Sequence, residues 1–215
     1  MITIIPAILT SSPQELKDMI MKCEEVVDRV QIDVIDGVYA DNKTIDPQAV
    51  TYVETNLMLD MHLMVKEPAN WLERCVRAQA DRVIGQIEMM SSQKDFILKS
   101  QSLGMKAGFA IDINTPVSSL DASLLSDVDV VLVMSVPAGH GGQSFQVGAL
   151  DKIKELATLR QDAHLSFSIC DDGGITLEWV DDARREGADE VAVGRKLFEG
   201  NLSENIATYL KAAYE

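Results

Sequence analysis

Eight short apolar runs recur along the chain at intervals of roughly 25 residues, and a stretch with helical periodicity follows each run. The apolar runs are Ile2–Ala7, Arg29–Val34, Leu57–Met64, Arg82–Glu88, Lys106–Ile111, Val128–Ser135, Leu165–Asp171 and Glu190–Gly194. The helical stretches are Pro13–Val27, Pro47–Thr55, Pro68–Gln79, Gln93–Leu103, Pro116–Ser123, Val147–Arg160, Leu177–Gly187 and Asn201–Ala213. Such alternation is typical of parallel βα units, in which each helix carries the chain back to the start of the next strand.

Eight βα units within 215 residues predict an α/β fold, a single (β/α)8 TIM barrel whose one domain spans residues 1–215. A doubly wound open sheet is the alternative, but such sheets usually have about five or six strands. The Gly-x-Gly-x-x-Gly segment of dinucleotide-binding sheets is also absent after the first run. A closed barrel brings the carboxyl end of every strand to one face, where the catalytic residues of this fold lie.

The composition excludes several classes of partner. The chain has 34 acidic and 19 basic residues, a formal net charge of −15, which repels nucleic acids and anionic membranes. The three cysteines, Cys23, Cys75 and Cys170, lack the spacing of a metal site, and no apolar run reaches the ~18 residues of a membrane helix. We therefore expect a cytoplasmic protein with reduced thiols that binds neither nucleic acid nor membrane.

Two of the predicted strands end near an aspartate that precedes a turn with glycine. Asp33 lies in the segment QIDVIDG and Asp172 in the segment ICDDGG. In a barrel both carboxylates would face one mouth, where opposed carboxylates can move a proton from one face of a carbon to the other. This arrangement predicts an epimerase. The structural alternative for Asp33 is a capping role in the turn at Asp36, whose Asp-Gly context is itself typical of a turn.

Two further polar residues share the inward face of these strands. Gln31 lies two residues before Asp33, and His62 has the same parity as Asp60 and Met64 on the third strand. Polar side chains inside a barrel need a ligand, a metal or a partner. A lone histidine is more often structural, but beside two carboxylates His62 is a candidate metal ligand or acid-base group.

Glycine-rich turns follow the last three predicted strands. They are Gly139–Gly142, Gly173–Gly174 and Gly194–Arg195. Glycine allows positive φ and a close backbone approach, so successive N–H groups can surround an anion. Phosphate sites in these barrels are often built after strands seven and eight. The alternative is that these glycines only form tight βα turns.

These segments, in this order, resemble the ribulose-phosphate 3-epimerase family. The matching segments, which together extend over nearly the whole chain, are Pro6–Leu9, Asp33–Gly37, Asp60–Pro68, Met134–Val136, Gly139–Phe145 and Asp172–Ile175. The resemblance implies a barrel of the ribulose-phosphate-binding type and an isomerase that interconverts D-ribulose 5-phosphate and D-xylulose 5-phosphate in the pentose phosphate pathway. The implied partner is a small phosphosugar, and the family's assemblies imply a homo-oligomer, a dimer or a hexamer.

The resemblance also implies the roles of individual residues. One divalent metal ion (zinc, iron, manganese or magnesium) would be held by Gln31, Asp33, His62 and Asp172. The two aspartates would double as acid and base, one taking the proton from C3 and the other returning a proton to the opposite face. The metal would stabilise the enediolate between these steps. Residues implied to line the substrate or bind its phosphate are Met64, Met134, Gly141, Gly142, Gly173, Gly174, Gly194 and Arg195.

Five residues depart from the family pattern at this site. Gln31 and Gln86 stand where the family has histidines, Ala7 and Arg195 where it has serines, and His140 where it has an aromatic residue. An amide oxygen is a harder and weaker ligand than imidazole, which suits Mn²⁺ or Mg²⁺ better than Zn²⁺. Arginine offers phosphate a bidentate contact, or covers the rim of the site.

The departures leave other functions open. One alternative is an epimerase whose site is specific for another ketose phosphate, such as a hexulose 6-phosphate. The other is a phosphosugar-binding paralogue without catalysis. Retention of Asp33 and Asp172 favours an enzyme, because facing carboxylates repel each other without a metal or a shared proton. A barrel lyase or synthase is a further alternative, but no lysine lies at a predicted strand end where a Schiff base would form.

Overall fold

A computed structural model describes residues 1–215, and its eight strands close into a parallel barrel in chain order. The strands are β1 (Thr3–Ile8), β2 (Arg29–Ile35), β3 (Met58–Met64), β4 (Arg82–Gln86), β5 (Lys106–Ile111), β6 (Val130–Met134), β7 (Ser168–Asp172) and β8 (Glu190–Val193). Strand β8 pairs with β1, which leaves the sheet without an edge. The predicted (β/α)8 fold is confirmed.

Six α-helices surround the barrel. They are α1 (Pro13–Cys23), α2 (Leu72–Arg77), α3 (Gln93–Ser102), α4 (Gly148–Asp162), α5 (Val180–Glu186) and α6 (Leu202–Ala212). The side chains of Ser12, Ser92 and Asn201 accept a hydrogen bond from the backbone N–H three residues later and so cap α1, α3 and α6. None of the helices is both long and apolar enough to span a membrane.

The segment after β2 differs from its prediction as an α-helix over 47–55. It forms a 3₁₀ helix over Pro47–Tyr52, and the predicted helix over 68–79 begins with a separate 3₁₀ turn, Pro68–Asn70, before α2. In the first case Asp46 caps the segment by accepting a hydrogen bond from the N–H of Gln48. The β-branched residues Val50, Thr51 and Val53 that follow have low α-helix propensity.

The segment after β5 also differs from its prediction as a helix over 116–123. It contains two 3₁₀ turns, Val117–Ser119 and Ala122–Leu124. Asp121 lies between them and accepts hydrogen bonds from the N–H and the hydroxyl of Ser123. This local side-chain bond competes with the α-helical ladder and starts a new turn.

Side chains of alternating parity divide the barrel strands between two apolar layers. The larger layer fills the space between the barrel and the helices and includes the fully buried Phe96 and Phe167. The smaller layer fills the barrel interior, where Cys170 packs as an apolar residue. Space inside is tight: a Cβ on Gly108 would lie 2.3 Å from a methyl carbon of Val130.

The amino end of the barrel interior is closed by an ion-pair network. Arg82 lies 2.6 Å from Glu190 and also pairs with Asp60, which accepts a second bond from Arg29. Asp60 is fully buried. Burial raises its pKa, and the two arginines oppose that shift. The carboxylates at this end are therefore each paired with an arginine.

Candidate active site

Four polar side chains meet at the carboxyl end of the barrel interior. Pairing of β2 with β3 sets Asp33 beside His62, and Asp172 approaches from β7. His62 Nδ1 lies 3.2 Å from Asp33 Oδ1 and 3.4 Å from Asp172 Oδ2. Gln31 Nε2 donates to Asp33 Oδ1 at 2.9 Å and to Asp172 Oδ2 at 2.7 Å. The structure thus brings together the four residues singled out as catalytic or metal-binding candidates.

A threonine from the following loop fastens the end of β2 that presents Asp33. Thr44 Oγ1 accepts a hydrogen bond from the N–H of Ile35 at 2.8 Å and donates to the carbonyl oxygen of Asp33 at 2.7 Å. The nearby Asp36 accepts bonds from three backbone N–H groups, which outweigh the effect of burial and lower its pKa. Asp36 is therefore a turn residue, while the Asp33 carboxylate is directed into the mouth.

Gln86 orients the imidazole of His62. In the amide orientation that satisfies all neighbours, Gln86 Oε1 accepts from His62 Nε2 at 3.2 Å. Its nitrogen then donates to Glu88 Oε2 at 2.8 Å and to the carbonyl oxygen of Ala110 at 3.2 Å. This bond keeps a proton on Nε2 and directs Nδ1 towards the two aspartates.

Burial and mutual proximity shift the ionisation of the site. Burial lowers the pKa of His62, but its hydrogen bonds to Asp172 and Asp33 outweigh burial and raise that pKa to about 9. Burial raises the pKa of the Asp33 carboxyl; the hydrogen bond with His62 opposes this shift and the charge of Asp172 adds to it. A proton on the imidazole therefore offsets part of the negative charge.

The cluster fits a divalent metal ion. The ligand atoms of Asp33, His62 and Asp172 all lie within 4.8 Å of one another. The two edges that meet at His62 Nδ1 measure 3.2 and 3.4 Å, close to the separation of about 3.0–3.4 Å expected for ligands ~2.1 Å from one ion. Two carboxylates, an imidazole and an amide form a donor set dominated by oxygen, which suits Mn²⁺ or Mg²⁺.

Apolar side chains surround this polar cluster. Met64 and Met134, at the ends of β3 and β6, are buried in one interior layer with Ile35 and Ala7. Methionine adapts its shape to its neighbours, so these residues can follow a substrate that changes geometry during a reaction. The layer leaves the Asp33 and Asp172 side chains only 10% and 11% exposed, and this low exposure strengthens their electrostatic interactions.

The three glycine turns adjoin one another on one side of the mouth. A Cβ on Gly142 would lie 2.8 Å from the guanidinium of Arg195, and one on Gly141 would lie 3.2 Å from it. Gly173 and Gly174 have φ values of 118° and 64°, and a Cβ on Gly174 would lie 2.6 Å from a backbone nitrogen of the neighbouring loop. The positive φ values of Gly142, Gly173 and Gly174 therefore favour glycine at these three positions. Gly194 immediately precedes Arg195.

Two loops meet across the mouth, a feature that the sequence analysis missed. Asn42 Nδ2 donates to the carbonyl oxygen of Gly139 at 2.7 Å, and His140 Nε2 lies 3.1 Å from the carbonyl oxygen of Asp41. From the same loop as Asn42, the hydroxyl of Tyr39 donates to Glu88 at 3.1 Å. No local sequence signal reports this pairing, since the contacts join segments about 100 residues apart.

Sequence reasoning also missed one further buried aspartate, Asp171. Asp171 precedes Asp172, and by strand parity its side chain points out of the barrel, where Ser135 donates to it. Burial raises the pKa of Asp171 to about 7, with the hydrogen bond from Ser135 opposing the shift. The Asp-Asp pair in the sequence was the available signal. Parity explains why only Asp172 reaches the mouth.

Known proteins resemble this chain in sequence and in architecture. The model of the Ribulose-phosphate 3 epimerase family matches residues 3–198. A ribulose-phosphate 3-epimerase from Synechocystis sp. is 32% identical over 212 residues, covering 96% of this chain and 92% of that protein. One from Bacillus subtilis is 32% identical over 202 residues, covering 92% and 93%. One from Treponema pallidum is 34% identical over 175 residues, covering 80% of each.

Among solved structures, 3-keto-L-gulonate-6-phosphate decarboxylase from Vibrio cholerae superposes with a TM-score of 0.72 at 16% identity, covering 99% of this chain and 97% of that one. A tryptophan synthase alpha-subunit from Pyrococcus furiosus gives a TM-score of 0.68 at 17% identity, covering 97% and 98%. At these identities the likeness concerns the fold alone.

Proposed function

The chain belongs to the ribulose-phosphate 3-epimerase family, and from this premise we propose that it interconverts D-ribulose 5-phosphate and D-xylulose 5-phosphate. The observation that carries the proposal is the pair of buried carboxylates, Asp33 and Asp172, on either side of His62 in the barrel mouth. A binding protein gains nothing from such a pair, because facing carboxylates destabilise the fold unless they share a cation or a proton.

The two aspartates are the acid and the base. Inversion at C3 needs one group on each face of the carbon, and β2 and β7 approach the site with β1 and β8 between them. One carboxylate removes the C3 proton to give an enediolate, and the other returns a proton to the opposite face. The direction of the reaction decides which aspartate acts first. Burial raises the pKa of Asp33, which brings this carboxylate closer to the range useful for proton transfer at neutral pH.

Asp33, His62 and Asp172 would hold one divalent metal ion. Gln31 would add its amide oxygen once the amide, whose nitrogen faces the carboxylates in this structure, is turned over. When bound, this ion supplies positive charge opposite the substrate oxygens that become negative as the proton leaves. Gln86 keeps the Nδ1 lone pair of His62 available for this role. The oxygen-rich donor set favours Mn²⁺ or Mg²⁺ over Zn²⁺ or Fe²⁺.

The phosphate of the substrate binds at the glycine turns. A chain with a net charge of −15 needs local donors to attract an anion, and backbone N–H groups supply them without adding charge. The residues assigned to this contact are Gly141, Gly142, Gly173, Gly174, Gly194 and Arg195. Arg195 adds the positive charge, while Met64 and Met134 enclose the carbon chain.

A coupled assay on purified protein tests this function. The protein is stripped with a chelator, supplied in turn with Mn²⁺, Mg²⁺, Zn²⁺ or Fe²⁺, and given D-ribulose 5-phosphate that carries deuterium at C3. We expect metal-dependent formation of D-xylulose 5-phosphate, together with exchange of substrate deuterium from C3 into water. A folded protein that binds the phosphosugar without exchange would be the non-catalytic paralogue. Faster turnover of a hexulose 6-phosphate would instead identify that sugar as the substrate.

A further inference from the structure

The amide nitrogen of Gln31 lies among the three candidate metal ligands. It is 2.7 Å from Asp172 Oδ2, 2.9 Å from Asp33 Oδ1 and 3.5 Å from His62 Nδ1. The side chain is fully buried, and its oxygen, Oε1, has no hydrogen-bond partner. A buried amide with two strong bonds on one atom and none on the other is unusual, because an unsatisfied polar atom destabilises the fold.

The same amide cannot serve both the carboxylates and a cation in one orientation. Its N–H groups donate and repel a cation, whereas its oxygen accepts and can ligate one. A half-turn of the planar amide of Gln31 exchanges the two atoms with little change in shape. The oxygen would then occupy the position that now lies 2.7–3.5 Å from the other three ligand atoms, within the range of edges expected around one ion.

We propose that Gln31 is an amide switch with two orientations, an inference that rests on the proposed metal site. With nitrogen inward, Gln31 joins Asp33 to Asp172 through two hydrogen bonds and keeps the carboxylates together. With oxygen inward, it is the fourth protein ligand of the metal. Metal entry then replaces two charge-assisted hydrogen bonds, which makes binding weaker and readily reversible.

The switch also determines which metal the site prefers. A neutral, hard amide oxygen beside two carboxylates favours Mn²⁺ and Mg²⁺, whereas a fourth ligand that is an imidazole favours Zn²⁺. Gln31 is thus a specificity-determining residue for the metal. Its amide also holds the metal-free site in the geometry that the metal needs.

Side-chain amide resonances of glutamine report the orientation directly. In protein labelled with ¹⁵N-glutamine, the Gln31 NH₂ pair is assigned by its absence from Gln31→Met. On saturation of chelated protein with Mg²⁺, we expect both Gln31 protons to move upfield as they lose their carboxylate acceptors, while the exposed Gln161 pair stays in place. The imidazole resonances of His62 report metal binding independently.

The outcomes separate the switch from the function on which it rests. Perturbation of His62 with an unchanged Gln31 pair would overturn the switch and leave the metal site standing. No perturbation of His62 by Mg²⁺ or Mn²⁺ would overturn both. Epimerase activity is measured on the same samples, so a working switch in an inactive protein would overturn the proposed reaction alone.

Two variants test the consequences without the enzyme assay. In chelator, Gln31→Met should unfold at a lower temperature than wild type, whereas the surface control Gln161→Met should not. Gln31→His should shift the ratio of Zn²⁺ to Mn²⁺ affinity towards zinc by about tenfold or more in direct titrations. An unchanged ratio, or equal thermal midpoints for the Gln31→Met and control proteins in chelator, would contradict the proposal.

Discussion

Buried charge is treated differently at the two ends of the barrel. At the amino end, Arg82 pairs with Asp60 and Glu190, and Arg29 pairs with Asp60 from the other side. Each buried carboxylate there has an arginine within hydrogen-bonding distance. Removing one of these side chains would leave the charge of its partner buried and unpaired, as is typical of a structural network.

At the carboxyl end, by contrast, the charges are not balanced by arginine or lysine. Asp33 and Asp172 share the imidazole of His62 and the neutral amide of Gln31. Both ends are interior, and both use residues of the same strand parity, so burial alone does not distinguish them. The difference is that no arginine or lysine pairs with the two carboxylates at the mouth, and buried charge left open in this way is typical of a functional site.

The largest effect should follow from removing a carboxylate at the mouth. Asp172→Asn preserves shape but abolishes proton transfer, so we expect kcat to fall at least about 10³-fold. The matched control is Asp171→Asn, one residue earlier and on the outer face of β7, which should stay within about tenfold of wild type. Near-normal turnover of Asp172→Asn would show that the two-aspartate mechanism is wrong.

At the amino end the equivalent change should affect stability instead. Arg82→Met leaves Asp60 and Glu190 without their shared cation, and breaking a buried pair in this way costs about 3–5 kcal/mol. Urea denaturation measures the loss, and turnover per folded molecule should stay close to that of wild type. A large fall in kcat with unchanged stability would mean that the two ends are not separate in function.

Binding of a cation should stabilise one end only. Manganese at about 100 times its dissociation constant should raise the free energy of unfolding of chelated protein by about 2.7 kcal/mol. Asp33→Asn should lose most of this increment, because it removes a ligand, whereas Asp60→Asn should keep it despite a lower starting stability. Thermal unfolding with and without metal checks both, and equal increments in the two variants would place the ion elsewhere.

The sequence alone predicts part of this difference between the two ends of the barrel. Strand periodicity and parity suffice to predict that Gln31, Asp33 and His62 share the barrel interior, because an eight-stranded closed sheet leaves few other arrangements. The same parity places Asp60 inside the barrel as well. Nothing in the local sequence shows that Asp60 lies in the ion-pair network at the amino end and not in the mouth. That distinction depends on Arg82, whose strand neighbours Asp60 only in the folded barrel.

Other features depend on contacts that periodicity does not encode. The meeting of the loops at Asn42 and Gly139 joins distant segments, and the bond from Tyr39 to Glu88 crosses between two βα units. The orientation of the Gln31 amide is set by two carboxylates from different strands. Such details follow from tertiary geometry, so residue types alone predict the cluster but not its hydrogen bonds.

The two ends of the barrel also differ in how each uses an arginine. Arg82 is buried in ion pairs, whereas Arg195 is exposed and lies against Gly141 and Gly142 at the mouth. Arg195→Met should therefore leave the free energy of unfolding within about 0.5 kcal/mol of wild type.

The same substitution should weaken substrate binding, because it removes one charged partner of the phosphate. We expect KM for the ketose phosphate to rise roughly tenfold, equivalent to about 1.4 kcal/mol, with kcat nearly unchanged. Inorganic phosphate should lose potency as a competitive inhibitor by a similar factor. The neighbouring Lys196→Met serves as the control for charge alone, since both residues are exposed cations. Equal effects of the two substitutions would mean that Arg195 contributes only through its charge. An effect confined to Arg195→Met would support a direct contact with phosphate at the mouth.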